Sequence, residues 1–295
     1  MKYKSNNLMK KSELITNADG SIFHLHLLPD EIADRIIIVG DPGRVETIAQ
    51  MFDTVRVRKS NREFSTVTGS YRDTDFSVIS SGIGTDNIDI VVNELDALAN
   101  IDLTTGMVKE EPRSLTFVRL GTAGGLQPDL QPGSFIATSR AAGFDGLLHF
   151  YQGYEWCIDH MLADALAGHL EWPDSLAYPY VVEADTFLLE NIAAEITKGI
   201  TISAPGFYGP QGRHLRLEPF DSEINDKIAS FRFRGERITN YEMESSAIYG
   251  LAKLLNHKAL TICVVIANRV TGEFLTDYKP AVKSLARNLL DALSS

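Results

Sequence analysis

Only two cysteines occur, Cys157 and Cys263, each inside an apolar segment and neither at a spacing that ligates metal. They read as reduced packing residues of a cytoplasmic protein, not as a disulfide framework. No apolar run approaches the roughly 18 residues that a membrane-spanning helix needs. The opening stretch MKYKSNNLMKKSELITNADG is polar, lacks the apolar centre of a secretion signal, and reads as a flexible arm over residues 1–20. Basic charge is scarce: 28 lysines and arginines stand against 39 acids, a net charge of −11. That balance excludes nucleic acid or an anionic membrane as the main partner. Internal repeats and linkers are absent. So are the dinucleotide Gly-x-Gly-x-x-Gly fingerprint and the Lys-Ser/Thr of a Walker loop, which removes the support for an NAD-dependent dehydrogenase.

What is present is a long alternation of strand-like and helix-like segments, with 44% hydrophobic residues, enough for a sizeable core. One α/β domain over residues 21–295 fits this pattern. RIIIVG is a continuous apolar run of the kind found in buried strands. It ends at Gly40, turns through Asp41-Pro42-Gly43 and enters a helix near Arg44. Backbone N–H groups at such a start, with an arginine beside them, suit an anion. SLTFVRLGTAGG repeats the theme: a buried strand carrying Arg119, then a glycine turn holding Gly121, Thr122, Gly124 and Gly125. An arginine inside so apolar a run needs an anionic partner, because it cannot shed its charge. Two strand ends, each with glycines and an arginine, are a way to hold one phosphate.

The stretch NYEMESSAIYGLAKLL places Glu242 and Glu244 just before a helical face made by Ile248, Leu251, Ala252 and Leu255. If the chain is still extended there, both carboxylates project to one side and Met243 to the other. Such a pair suits a ligand rich in hydroxyls; equally, Glu244 could serve only the first helical turn, where negative charge is favoured. FHLHLL alternates, setting His24 and His26 on one side of an extended segment, as a metal pair or as hydrogen-bonding groups. The tripeptide Asn61-Arg62-Glu63 lies among three β-leaning runs, where Arg62 could be a plain edge charge. GFYGPQGR gathers Phe207, Tyr208, Gln211 and Arg213, which could stack on a planar heterocycle and read its edge, or form an ordinary turn. ALTICVVIANR is the last buried strand, and the charged insert from Thr104 to Ser114 reads as a loop.

Taken together and in this order, FHL, VGDPGRVETIA, NREF, RLGTAGGLQ, FDGLLHFY, FYGPQGR, NYEMES and VIANR resemble the nucleoside phosphorylase-I family, and within it the uridine phosphorylases most. The resemblance runs from about residue 22 to about residue 290. It implies a single three-layer α/β/α domain around a central mixed, partly barrel-like sheet. It also implies a reversible pentosyl transfer: uridine plus inorganic phosphate, the co-substrate, giving uracil and ribose 1-phosphate, without cofactor or metal.

The roles carried over are specific. Gly40, Arg44, Arg119 and Thr122 would hold phosphate, with Arg62 arriving from a neighbouring subunit. His24 would lend itself to the neighbour's ribose 5′-hydroxyl. Glu242, Met243 and Glu244 would hold the ribose. Phe207 and Tyr208 would face the base, Gln211 and Arg213 would read it, and Ile266, Ala267 and Arg269 would close its pocket. Arg213, Gln211, Glu244 and Arg269 would carry the chemistry. Glu63 is a candidate ligand for a monovalent cation between subunits. The implied assembly is a homo-oligomer, dimer or hexamer, with shared sites. Departures from the family pattern are the long arm, the 104–114 insert, and ISAPGFY in place of a serine-aspartate-threonine loop. The alternatives are a purine nucleoside phosphorylase, a nucleosidase, or a non-catalytic nucleoside-binding protein on the same fold.

Overall fold

A computed structural model describes residues 9–294. The run RIIIV forms β1 (Arg35–Val39), and α1 (Pro42–Ala49) follows with Asp41 as its N-cap. A meander of β2 (Thr54–Asn61), β3 (Phe64–Tyr71) and β4 (Thr74–Ser80) leads into the long helix α2 (Thr85–Asn100). The insert is not a plain loop. It folds as a small hairpin of β5 (Ile101–Asp102) and β6 (Met107–Val108), because Asp102 caps the turn through Thr104 and Gly106 supplies a φ of 67°.

The chain continues through β7 (Thr116–Gly125), β8 (Phe135–Gly143), α3 (His160–His169) and β9 (Tyr180–Glu183). Next come α4 (Thr186–Ile192), β10 (Thr197–Ser203), α5 (Ile224–Ser230), β11 (Arg232–Phe233) and β12 (Glu236–Glu242). It closes with α6 (Ser245–Leu254), β13 (Lys258–Asn268) and α7 (Lys279–Leu293). Helices α4 and α5 escape a periodicity reading because seven residues each are too few to set a period.

Eleven strands form one mixed sheet in the order β11-β12-β10-β8-β13-β7-β1-β4-β3-β2, with β9 beside β8. A further pairing of β12 with β7, Asn240 opposite Gly125 and Tyr241 opposite Gly124, closes five of these strands into a ring. LGTAGG, read from sequence as a turn, is therefore strand to its end. Its glycines let β12 and β13 approach β7 from both sides. Helices α1 and α4 pack against α7, and α2 packs against α6. This gives the three-layer, partly barrel-like architecture that the family resemblance implies. The main core joins Ile36–Val39 to Val91, Leu95, Phe117, Ile248, Leu260 and Leu285, all buried. Helix α6 is buried all round, and a Cβ on Gly250 would lie 2.2 Å from Leu148.

Of the arm, residues 1–8 lie outside the described residues. From Met9 on, it packs down: the Met9 N–H donates to Gly106 at 3.2 Å, and Met9 and Leu14 rest on the core. Among the described residues no helix is long and apolar enough to cross a membrane.

Candidate active site

The site is built where β7, β12 and β13 end beside the starts of α2 and α6. Arg119, on β7, is 5% exposed and sits over Gly121, where a Cβ would come within 1.9 Å of its Nη1. Its anionic partners are the two acids of NYEMES. Nη1 lies 3.2 Å from Glu242 Oε2, and Nη2 donates to Glu244 Oε2. Nη1 also reaches Cys263 Sγ at 3.4 Å. Burial works against the Arg119 charge, but Glu244 and Glu242 more than offset it and hold the guanidinium above its ordinary range.

The strand–helix junction is tighter than an extended chain. β12 stops at Glu242, and Glu244 is the N-cap of α6 without a side-chain bond to that helix. It is Glu242 that serves the first turn, accepting from the N–H groups of Glu244 at 2.9 Å and Ser245 at 3.0 Å. Glu244 turns away instead, accepting from Gly84 N–H at 2.8 Å at the start of α2. Burial raises the Glu244 pKa; Arg119 pulls it back and Glu242 adds to the rise.

Gly40 ends β1 at a point where a Cβ would lie 3.2 Å from the Gly82 carbonyl, so the starts of α1 and α2 are neighbours. Part of the α1 start is already occupied, since Asp41 accepts from Gly43 N–H at 2.8 Å. Arg44 Nε is buried with no hydrogen-bond partner among the described residues. Thr122 is half-buried on β7, three residues past Arg119.

At the far end of β13 a second group gathers. Gln211, 3% exposed, accepts from Arg213, whose Nη1 also donates to the Phe207 carbonyl at 2.8 Å. The Arg213 guanidinium lies 3.8 Å over the Phe207 ring, and Tyr208 meets that ring edge-on at 5.2 Å. Arg269 leaves β13 over Gly124, donates to the Gln211 carbonyl at 2.6 Å, and covers the Tyr241 ring at 5.4 Å. Burial, then the neighbouring Arg269 charge, pulls the Arg213 pKa down to about 10, and burial lowers that of Arg269. Ile266 and Ala267 are half-buried at the end of the same strand.

Three contributors were not singled out from sequence. Gly84 offers its N–H to Glu244, and Ser203 donates to Glu242 at 2.5 Å. Tyr241 presents a buried hydroxyl with no partner among the described residues, near Arg213 and Arg269. Only Tyr241 left a signal: alternation along NYEME sets it on the face opposite Glu242.

His24, Arg62 and Glu63 are not brought to Arg119 within the chain. FHLHLL is a turn, not an extended segment: the His26 N–H donates back to the Ile22 carbonyl at 3.0 Å, with a φ of 57° at His26. The two imidazoles therefore reach different acids, His24 to Glu94 at 2.6 Å and His26 to Asp19 at 3.2 Å. Arg62, at the tip of the β2–β3 turn, stands over Phe23 at 5.8 Å, and Asn61 holds the His24 carbonyl at 2.8 Å. Glu63 is exposed and lies against Gly82. Among the described residues no cluster of three or more His, Cys, Asp or Glu could hold a metal ion.

Residues 34–294 match the family model described as the phosphorylase superfamily, so the chain belongs to that family. Among curated relatives, the uridine phosphorylase of Thermococcus kodakarensis is 31% identical, across 87% of this chain and 80% of that protein. The guanosine phosphorylase of Halorubrum lacusprofundi is 29% identical, across 84% of each. Among solved structures, a Trypanosoma brucei nucleoside phosphorylase with uridine phosphorylase activity superposes with a TM-score of 0.86 at 30% identity, covering 95% of this chain and 99% of that one.

Proposed function

We propose that the protein is a uridine phosphorylase: phosphate attacks C1′ of uridine, the glycosidic bond breaks, and uracil leaves as ribose 1-phosphate forms. The observation that carries this reading is the base pocket. It sets a buried amide, Gln211, beside two guanidinium groups, Arg213 and Arg269, that bond to carbonyl oxygens and, among the described residues, to no carboxylate. An amide fits the N3–H and a carbonyl of uracil on one planar edge. Uncompensated positive charge is what a departing uracil anion needs, at roughly 3–4 kcal/mol per well-placed donor.

The other end of the site completes the reaction. Gly40, Arg44, Arg119 and Thr122 hold the phosphate beneath C1′, where it stabilises the cationic sugar before capturing it. Glu244, with Met243 beside it, accepts the 2′- and 3′-hydroxyls. No side-chain nucleophile, metal or organic cofactor enters this scheme, and inorganic phosphate is the co-substrate. His24 and Arg62 form a patch of their own, which supports a homo-oligomer in which they complete a neighbour's ribose and phosphate sites. The two cysteines are buried and unpaired, in keeping with a cytoplasmic protein.

The guanosine-cleaving relative brings in purines as a second reading. Against it, the chain leaves β13 through Asn268, whose amide is fixed to Gln127 and Leu130, and no acid follows until Glu273. Loss of ultraviolet absorbance decides the matter, with uridine, deoxyuridine, thymidine, cytidine and inosine assayed with and without phosphate. Phosphate-dependent turnover of uridine is expected. Turnover without phosphate would mean a nucleosidase, preference for inosine a purine enzyme, and none at all a binding protein.

A further inference from the structure

Glu242 stands among the ribose-binding candidates, yet its carboxylate has no capacity left for a sugar. Three donors make four hydrogen bonds to its two oxygens, and Arg119 adds an ion pair. Ser203 Oγ bonds to Oε1 at 2.5 Å, and Ser245 N–H lies 3.1 Å from Oε1 and 3.0 Å from Oε2. Glu244 N–H meets Oε2 at 2.9 Å, and Arg119 Nη1 lies 3.2 Å from the same atom. A carboxylate offers about four lone-pair sites, so all are filled. Glu244 is the opposite case: Oε1 takes Gly84 and Oε2 takes Arg119, leaving one acceptor site on each oxygen. Two free sites match two hydroxyls.

We infer that Glu242 is a positioning residue: with Ser203 it clamps the β12–α6 junction so that Glu244 and Arg119 are held ready for sugar and phosphate. Ser203 is its partner across the parallel β10–β12 pairing, where the two residues are in register. The Ser203 hydroxyl donates to Glu242 and accepts from Ser246 N–H at 2.9 Å. Between them the pair fixes the backbone N–H groups of residues 244, 245 and 246, which sets where the Glu244 carboxylate begins. The same carboxylate steadies one side of Arg119 while Glu244 holds the other. All of these groups are buried, so their bonds cannot be replaced by bulk water. The inference rests on the phosphorylase reading and divides the labour within that site.

The test uses uridine, 2′-deoxyuridine and 3′-deoxyuridine, with phosphate varied, in the wild type and in Glu242→Gln, Ser203→Ala and Glu244→Gln. The amide of Glu242→Gln turns one acceptor oxygen into a donor that faces the donors bonded to that oxygen in the wild type. It should cost roughly a hundredfold in kcat/KM for all three nucleosides, as a small misplacement of reacting groups does. The penalty for a missing hydroxyl should stay within about twofold of the wild-type penalty, since no partner of that hydroxyl has been removed. The phosphate KM should rise, because Arg119 has lost an anchor. Ser203→Ala should repeat the pattern more mildly, at about tenfold. Glu244→Gln should abolish the penalty for a missing hydroxyl.

Loss of that penalty in Glu242→Gln would make Glu242 a ribose ligand and overturn the inference. An unchanged phosphate KM in both Glu242→Gln and Ser203→Ala would overturn it too. Should Glu242→Gln fail to fold by circular dichroism, Ser203→Ala decides alone. Should the wild type ignore uridine, the functional reading fails. The clamp is then tested on whichever ribonucleoside and deoxyribonucleoside of the five-substrate panel it cleaves, or by calorimetric phosphate binding in the same variants.

Discussion

The guanidinium of Arg269 fastens to the backbone of Gln211, 58 residues away, through a 2.6 Å bond to its carbonyl oxygen. The loop that carries Gln211 is thereby tied to the end of β13. The second tie is Arg213, which folds back on Phe207 and Gln211 inside the same loop. Two like charges thus stand near each other, and among the described residues no acid pairs with either.

That arrangement trades stability for function. The folded state pulls the Arg213 pKa down to about 10, so the charged form is disfavoured on folding at every pH below that value. Arg213→Met removes the charge and keeps much of the packing, and is expected to raise the melting midpoint by about 2 °C. Arg213→Ala should lower uridine turnover by about 10²–10³, the cost of an oxyanion-hole donor, while the phosphate KM hardly moves. Cytidine, which sets an amino group against Arg213, should lag behind uridine by a similar factor. Equal kcat/KM for the two nucleosides would remove Gln211 and Arg213 as base readers.

Glu244 gives a signed pH dependence. Burial raises its folded pKa, so protonation favours the folded state below the ordinary carboxylate value of about 4.3, and that advantage is lost as pH rises through the folded value. The ionised form is the one that accepts two hydroxyls. Activity should therefore fall on an acid limb lying above that of an ordinary glutamate. Glu244→Ala should lose both kcat and nucleoside affinity with the fold intact. A pH profile flat down to pH 4, or near-normal activity in the alanine variant, would reject the role.

Gly121→Ala tests the seat of Arg119. The new methyl would lie 1.9 Å from Nη1 and 2.7 Å from Cys263 Sγ, so the guanidinium must move. Overpacking of this kind costs about 1–3 kcal/mol, readable in a denaturant melt. The phosphate KM should rise with it. Gly168→Ala, which meets nothing within 4 Å in the last turn of α3, serves as the control.

Subunit exchange tests the shared site. Arg62→Ala and Glu244→Ala should each be nearly inactive alone. If Arg62 serves a neighbour, mixed dimers contain one intact site, and re-equilibrated mixtures should recover about a quarter of wild-type sites. No recovery, or an active monomer by sedimentation, would place each site within a single chain.

Several of these features could be read in the chain before folding. Arg119 demanded an anion because an arginine in LTFVRL cannot be neutralised. Which acids answer depends on the meeting of β7 and β12, a pairing between distant segments that no local pattern encodes. FHLHLL misled for a related reason. Its alternation suggests an extended strand, but Glu94 accepts the N–H groups of both His24 and Leu25 from 69–70 residues away and bends the segment into a turn. The glycines of LGTAGG read as a turn because small residues usually mark one. Here they mark close approach of strands, and Gly121 makes room for a guanidinium. Tyr241 went unnoticed because the alternation that sets it opposite Glu242 is shared by many buried strands; what marks it is a buried hydroxyl with no partner among the described residues.

The closed ring of five strands gives the two halves of the site unequal freedom to change. Arg119 and Thr122 lie on β7, Glu242 ends β12, and ladder bonds fix these strands to each other on both sides. Gln211 and Arg213 ride on a segment outside the ring, moored at a few points. Under the proposed roles, the sugar-phosphate half is a chassis and the base reader a fitting attached to it. Under those roles, a change of nucleobase preference calls for exchange of residues 204–213 together with Ile266, Ala267 and Arg269 at the end of β13, and leaves the grip on pentose and anion as it is. A family in which relatives of this chain include both uridine and guanosine phosphorylases is what such an architecture would leave behind.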